Sequence, residues 1–164
     1  MTRPQICLTL EQQWRRYNTV YHLEAQVDPG SIYTIARNVH VVGMDGGLGE
    51  LVRAELADRG IEAPIMGTTG ANHWMFLVRP GLSLEAHIDL RARLVRAGGP
   101  VYVSAPGDYI SYPTPGNPAR YWVAPPVPDV ELPPMALILG VAEAVCTTVN
   151  PRLLSHNVIA ELET

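Results

Sequence analysis

Three polar residues stand out in this chain for the company each keeps. Asp45 closes an apolar run and opens a glycine-rich turn in "VHVVGMDGGLGE". His73 lies between a small polar loop and an alternating apolar segment in "GTTGANHWMFLVRP", and Arg120 follows a Pro-Gly loop and precedes two aromatics in "GDYISYPTPGNPARYW". A carboxylate at the open end of a rigid strand is where an α/β protein holds a metal or faces a phosphate. An imidazole moves protons or ligates metals, and a guanidinium grips a phosphate in a planar fork or stacks on a base. Gly46, Gly47 and Gly49 would let a phosphate approach backbone N–H groups at a helix start, but their spacing matches neither the dinucleotide fingerprint nor the P-loop. Each residue also has a plainer reading. Asp before glycine most often starts a tight turn, a histidine at a strand mouth is most often a packed ring, and a hairpin rich in Tyr and Trp most often fills a core. A small-molecule enzyme with His73 as general base and Tyr109 or Tyr112 as acid is a further reading, though no spacing demands it. His22, His40, His87 and His156 show no metal-ligand spacing, and there is neither a GxSxG elbow nor a Cys–His signature.

The elements that must position these groups follow from periodicity. "TLEQQW" carries a capping box, Thr9 with Gln12 three residues on, and predicts a helix over Leu10 to Ala25. The β-branched run from Ile32 to Val42 predicts a strand. Leu48 to Gly60 has helical spacing and ends on a glycine suited to a left-handed cap. "APIMG" and His73 to Arg79 predict a hairpin, with His73, Met75 and Leu77 on one face and Trp74, Phe76 and Val78 on the other. Ser83 to Gly99 predicts an N-capped helix with Leu84, Ile88, Leu94 and Val95 as its apolar positions. Residues 101–123 predict two or three antiparallel strands with Tyr112 and Tyr121 near the bends. "APPVPDVELPP" is extended, and Met135 begins a mostly apolar helix, followed by an amphipathic piece from Leu153 to Leu162. The order predicts an α+β fold, a mainly antiparallel sheet with helices packed on it.

Composition limits the function classes. A chain of 164 residues, 47% hydrophobic and 17% charged, suits one domain, 1–164, with a real core. Its net charge of -4 argues against a protein built to hold duplex DNA on a broad basic face. All 12 basic residues are arginine, so every cationic side chain is a planar fork. Cys7 and Cys146 lack a CxxC or CxxH neighbour and predict buried thiols rather than a zinc site or disulfide. "MALILGVAEAVC" is too short to span a bilayer and the N-terminal stretch lacks a signal-like apolar core, so the expectation is a cytoplasmic protein without a membrane partner. The same apolar helix must be covered by its own sheet or by another subunit, which leaves a homo-oligomer or a non-enzymatic protein-interaction module as the contrasting expectation.

Taken in order, "VVGMDGG", "TTGANHWMFLVRP" and "GDYISYPTPGNPARYWVAPP" resemble the acidic, histidine and aromatic-strand motifs of bifunctional DNA primase/polymerase (Prim-Pol) domains, of the archaeo-eukaryotic primase type. The resemblance covers about residues 33–126 and implies a primase/RRM-like core, with a C-terminal helical part at about 135–162. It implies that His73 and Arg120 contact a nucleotide's phosphates, that Asp45 is what remains of a metal site, and that the partner is a nucleotide or single-stranded nucleic acid. Polymerising members hold two divalent ions with two carboxylates one residue apart and a third acid on a later strand. Here Met44 and Gly47 flank Asp45, and the later strand offers Val103 and Ser104, with Asp108 in a turn. The departures imply that templated synthesis is lost. An active nucleotidyltransferase would use Mg²⁺ or Mn²⁺ and would need Asp108 or Glu50 to complete the site.

Overall fold

The computed structural model describes residues 8–99 and 101–149. Helix α1 (Leu10–Thr19) starts with the capping box the sequence predicts: the Thr9 hydroxyl accepts from the Gln12 N–H at 3.2 Å, and the Gln12 side chain accepts from the Thr9 N–H at 2.9 Å. It stops well before Ala25. Asn18 pairs both ways with the Ala25 backbone, at 2.7 and 2.9 Å, and Trp14 Nε1 donates to the Ala25 carbonyl at 2.8 Å. These side chains offer the backbone a partner outside the helix, and the chain turns through left-handed His22 and Glu24.

The predicted strand over residues 32–42 is two strands in two sheets. β1 (Gln26–Asp28) and β2 (Ser31–Ile35) form a hairpin, and β2 also pairs with β7 (Tyr109–Tyr112), giving the order β1-β2-β7. At Ala36 the backbone bonds instead to the turn at Gly107 and Asp108, at 2.9 and 2.8 Å, and the chain leaves for the second sheet. There β3 (His40–Asp45) leads into α2 (Gly46–Asp58), followed by β4 (Ile65–Thr68), β5 (Ala71–Val78), α3 (Leu84–Arg96), β6 (Val101–Val103), β8 (Arg120–Ala124) and α4 (Met135–Val149). The second sheet has the order β6-β3-β5-β4-β8, with every pair antiparallel.

Strand alternation sorts the side chains of this sheet into two cores. Val42, Met44, Phe76 and Val78 face α2, α3 and α4, meeting Val52, Leu56, Leu94, Ile138 and Leu139. Val41, Met66, Met75 and Leu77 face the small sheet and α1, meeting Tyr17, Leu23, Ile32, Ile110 and Tyr112. The result is one α+β domain, with the five-stranded sheet sandwiched between helices and a three-stranded sheet. The apolar length of α4 is covered by α2, α3 and the sheet, so the helix itself supplies no argument for a second subunit. Cys146 is buried and free, whereas Cys7 and the piece from Leu153 to Leu162 lie outside the described residues. Among the described residues no helix is long and apolar enough to cross a membrane.

Candidate functional site

β3 and β5 run antiparallel at the centre of the sheet with Asp45 directly opposite His73. Opposed residues share a face with Cα atoms about 4.5–5.5 Å apart, so carboxylate and imidazole are neighbours. They lie on the face of Val41 and Leu77, past the end of the buried core, where Asp45 is exposed and His73 half-buried. The third predicted residue joins them. Arg120 stands opposite Thr68 across β8 and β4, and its guanidinium donates to the Thr68 hydroxyl. It alternates with Trp122, which packs on the Tyr17 core, so it shares the face of His73.

The environment of His73 reports this convergence. Burial pushes its pKa below the ordinary 6.5, the Arg120 charge pushes it further down, and the Asp45 carboxylate opposes both. The ring is therefore neutral at pH 7 and senses one charge of each sign. Arg120 is itself lowered by burial but remains a cation at neutral pH. Among the described residues neither Arg120 nor Asp45 belongs to an ion pair, so the guanidinium keeps capacity for an anion. His40 is the contrast. That residue is 4% exposed, with Nδ1 at 3.1 Å from Ser104 and Nε2 at 3.1 Å from the Arg37 carbonyl, and it is the packed histidine among the described residues.

Three further residues border the site without being conspicuous in the sequence. Gly43 precedes Asp45 by two and shares its strand face; a Cβ there would lie 2.7 Å from His73 Nε2 and 3.2 Å from Cε1, so the ring rests in the space a side chain would fill. Tyr102 on β6 faces Gly43 in register, with its ring edge 3.5 Å from the same point. Its hydroxyl donates to Asp108 Oδ2 at 2.7 Å, and that oxygen also accepts the Ala105 N–H at 2.7 Å. The Tyr102 hydrogen bond and the Ala105 N–H hold the Asp108 carboxyl below its usual range, and the same pairing raises the tyrosine. Thr68 is the third, the partner of Arg120. Period-two alternation backwards from Asp45 would have found Gly43; the pairing of β6 with β3 is a long-range choice that no local pattern announces.

The glycine run has a packing role where the sequence suggests a phosphate cradle. A Cβ at Gly46 would lie 2.0 Å from Asn72 Oδ1 and one at Gly49 2.8 Å from Trp74 Cε3, so these glycines let α2 sit close on β5. Asp45 Oδ1 already accepts the Gly47 N–H at 2.8 Å as the helix N-cap. A carboxylate at that position satisfies the helix end and repels a second anion. The turn-starting role of Asp45 is thus real, and it leaves the other carboxylate oxygen without a hydrogen-bond partner among the described residues.

A two-metal centre does not fit these residues. A carboxylate paired with Asp45 on this strand face would have to stand at Gly43, where the imidazole lies instead, and the facing strand presents Tyr102. Asp108 is tied to Tyr102 and Ala105, and Glu50 lies on α2 past the strand end. Among the described residues no group of three or more His, Cys, Asp or Glu could hold a metal ion. The acid–base reading with tyrosine also loses its partners. The buried Tyr112 hydroxyl donates to the Leu23 carbonyl at 3.0 Å and its pKa is driven far up by burial, while Tyr109 stacks on Tyr33 at 4.5 Å on the small sheet. Comparison with family models, with curated proteins and with solved structures gives no match for the chain.

Proposed function

We propose that this is a Prim-Pol-like domain that binds a nucleotide, or the end of a single strand, at the uncovered end of its five-stranded sheet, beyond the core under the small sheet, and does not carry out templated polymerisation. The observation that carries the reading is the cross-strand pairing of Asp45 with His73 beside a guanidinium that has no carboxylate partner among the described residues. Arg120 supplies the charge for a phosphate, His73 a second donor on protonation, and Asp45 an acceptor for hydroxyl groups. The order of the three motifs along the chain supports the primase-like part of the reading. The missing carboxylates support the loss of two-metal chemistry, because a single carboxylate cannot clamp both the attacking and the leaving oxygen.

Isothermal titration of the protein with ATP, with Mn²⁺ or with EDTA, tests this. Binding in both conditions, weakened at least tenfold in R120A with the fold intact by circular dichroism, is the expected result. No heat at millimolar ATP, or equal affinity in R120A, overturns it, and extension of a primed template overturns the loss of polymerisation.

A second reading, self-association through α3, rests on a specific surface. Ile88 and Val95 are 60% and 61% exposed, two helical turns apart, with Ala92 between them on the same face. Glu85 stands at the start of this stripe and Arg96 at its end, so two antiparallel copies of α3 would set opposite charges together. Light scattering across a concentration series decides it: a mass that rises with concentration in the wild type and not in I88E supports the dimer, and a constant monomer excludes it.

A further inference from the structure

We propose that the polar pocket at the far end of the five-stranded sheet is a second binding site, for a small zwitterion of the α-amino acid class, with the carboxylate on Arg79, the ammonium group between Asp129 and Glu131, and an apolar side chain against Val39 and Leu132. This pocket is separate from the site at Asp45 and His73. Arg79 stands six residues beyond His73, just past the end of β5, about 20 Å away along extended chain.

The pocket has a volume of about 440 Å³ and lies where the end of α1, the approach to β3, the end of β5 and the proline-rich segment before α4 meet. Both signs of charge line it, Arg79 from one segment and Asp129 and Glu131 from another. They do not neutralise each other: among the described residues none of the three is in an ion pair. Backbone holds the cation instead. Arg79 Nε donates to the Leu132 carbonyl at 3.1 Å, while the residue's own N–H and carbonyl bond to Pro133 and Met135, each at 3.0 Å. The two terminal guanidinium nitrogens have no hydrogen-bond partner among the described residues, and together they form the fork that a carboxylate takes end-on.

Backbone strain gathers at the same place. Among the described residues three other than glycine have left-handed backbone, His22 at φ 52°, Glu24 at 51° and Asp129 at 59°. His22 and Asp129 line the pocket, and Glu24 fixes its wall, with Oε1 accepting Asn38 Nδ2 at 2.7 Å. Glycine takes this conformation without the clash a Cβ brings, so a chain that keeps His22 and Asp129 here gives up stability for their side chains. Charge then selects the ligand. Two carboxylates repel phosphates and simple carboxylates, and the guanidinium repels simple amines, whereas a molecule carrying both charges meets both demands. Buried Val39 and half-buried Leu132 offer its side chain an apolar wall.

L-Leucine is the probe, compared by isothermal titration with isocaproate, which lacks the ammonium group, and with leucinamide, which lacks the carboxylate. Each missing charge should weaken binding about tenfold to 150-fold, the worth of one charge-assisted hydrogen bond. R79Q and D129N, whose asparagine still suits left-handed backbone, should weaken leucine by similar factors and leave ATP affinity unchanged, with folding checked by circular dichroism. H22G should unfold at higher urea and bind leucine less well. Leucine that gives no heat at millimolar concentration, isocaproate or leucinamide that binds as tightly as leucine, or wild-type leucine affinity in D129N overturns the zwitterion site and leaves the anion site at Arg120 standing. An H22G protein that is stabilised and binds leucine as the wild type does overturns the link between strain and binding.

Discussion

Replacing Gly43 by alanine perturbs the site without replacing any of its polar groups. The new Cβ would stand 2.7 Å from His73 Nε2 and 3.2 Å from Cε1, against about 3.5–4.0 Å for a comfortable contact. The ring tip must therefore retreat by close to 1 Å, and because His73 is half-exposed it moves toward water while the strand stays in place. Stability should change by less than about 1 kcal/mol, since alanine in a strand gains about 0.4–1 kcal/mol through the unfolded chain and loses a few contacts at the ring. Two site properties should change much more. Burial is the largest cause of the lowered His73 pKa, so relief of burial should move it up toward 6.5. A displaced imidazole also forfeits a charge-assisted hydrogen bond to a bound phosphate, about 1.5–3 kcal/mol, or roughly tenfold to 150-fold in ATP affinity. Proton-carbon NMR of the histidine rings follows the pKa, and calorimetry follows the affinity. A G43A protein with normal stability, an unmoved His73 pKa and wild-type ATP affinity would refute the placement of the ring over Gly43.

Other perturbations separate the site from its scaffold. In G49A the Cβ would meet Trp74 Cε3 at 2.8 Å between a helix and a buried sheet, so stability should fall by about 1–3 kcal/mol in urea denaturation. Y17F should also cost about 1–3 kcal/mol in the same assay, because the buried Tyr17 hydroxyl donates to the Pro113 carbonyl at 2.6 Å and accepts Trp122 Nε1 at 3.1 Å. Burial raises the Tyr17 pKa to about 12 and drives that of Tyr112 further up, so ultraviolet titration should show at least two tyrosines silent through the range in which exposed phenols ionise, one of which Y17F removes. His73 gives a pH signature of known sign. Its folded-state pKa lies below 6.5, so its contribution to stability is complete above 6.5 and lost as pH falls below it. Bound polyphosphate favours the cation, so ATP affinity should rise as pH falls from 7.5 to 5.5. H73Q should flatten that slope, and a slope unchanged in H73Q would place the titrating group elsewhere.

How far the sequence foretells this molecule depends on the range of the interaction concerned. Local chemistry is legible: the capping box at Thr9, the Ser83 cap of α3, and the two faces of β5 all appear as the pattern predicts. The end of α1 is not, because Asn18 and Trp14 reach across to Ala25 and outcompete helical propensity. Nor is the split of residues 32–42 between two sheets, since a run of β-branched residues specifies extended backbone and not its partners. The site follows the same division. Asp45, His73 and Arg120 are conspicuous in the sequence, and the register brings them together. Gly43, Tyr102 and Thr68 matter only through strand pairing, and Gly46 and Gly49, which look like a phosphate loop, answer to the bulk of Asn72 and Trp74.

The central claim is that the uncovered end of the five-stranded sheet gathers Asp45, His73 and Arg120 around one anionic ligand. NMR observation of the His73 ring and the Arg120 Nε–Hε group during a titration with ATP tests it most directly. The account predicts that both signals shift together with a single dissociation constant and that the His73 pKa rises in the complex. Saturating ATP that leaves both signals in place, or shifts at α3 alone, would contradict it.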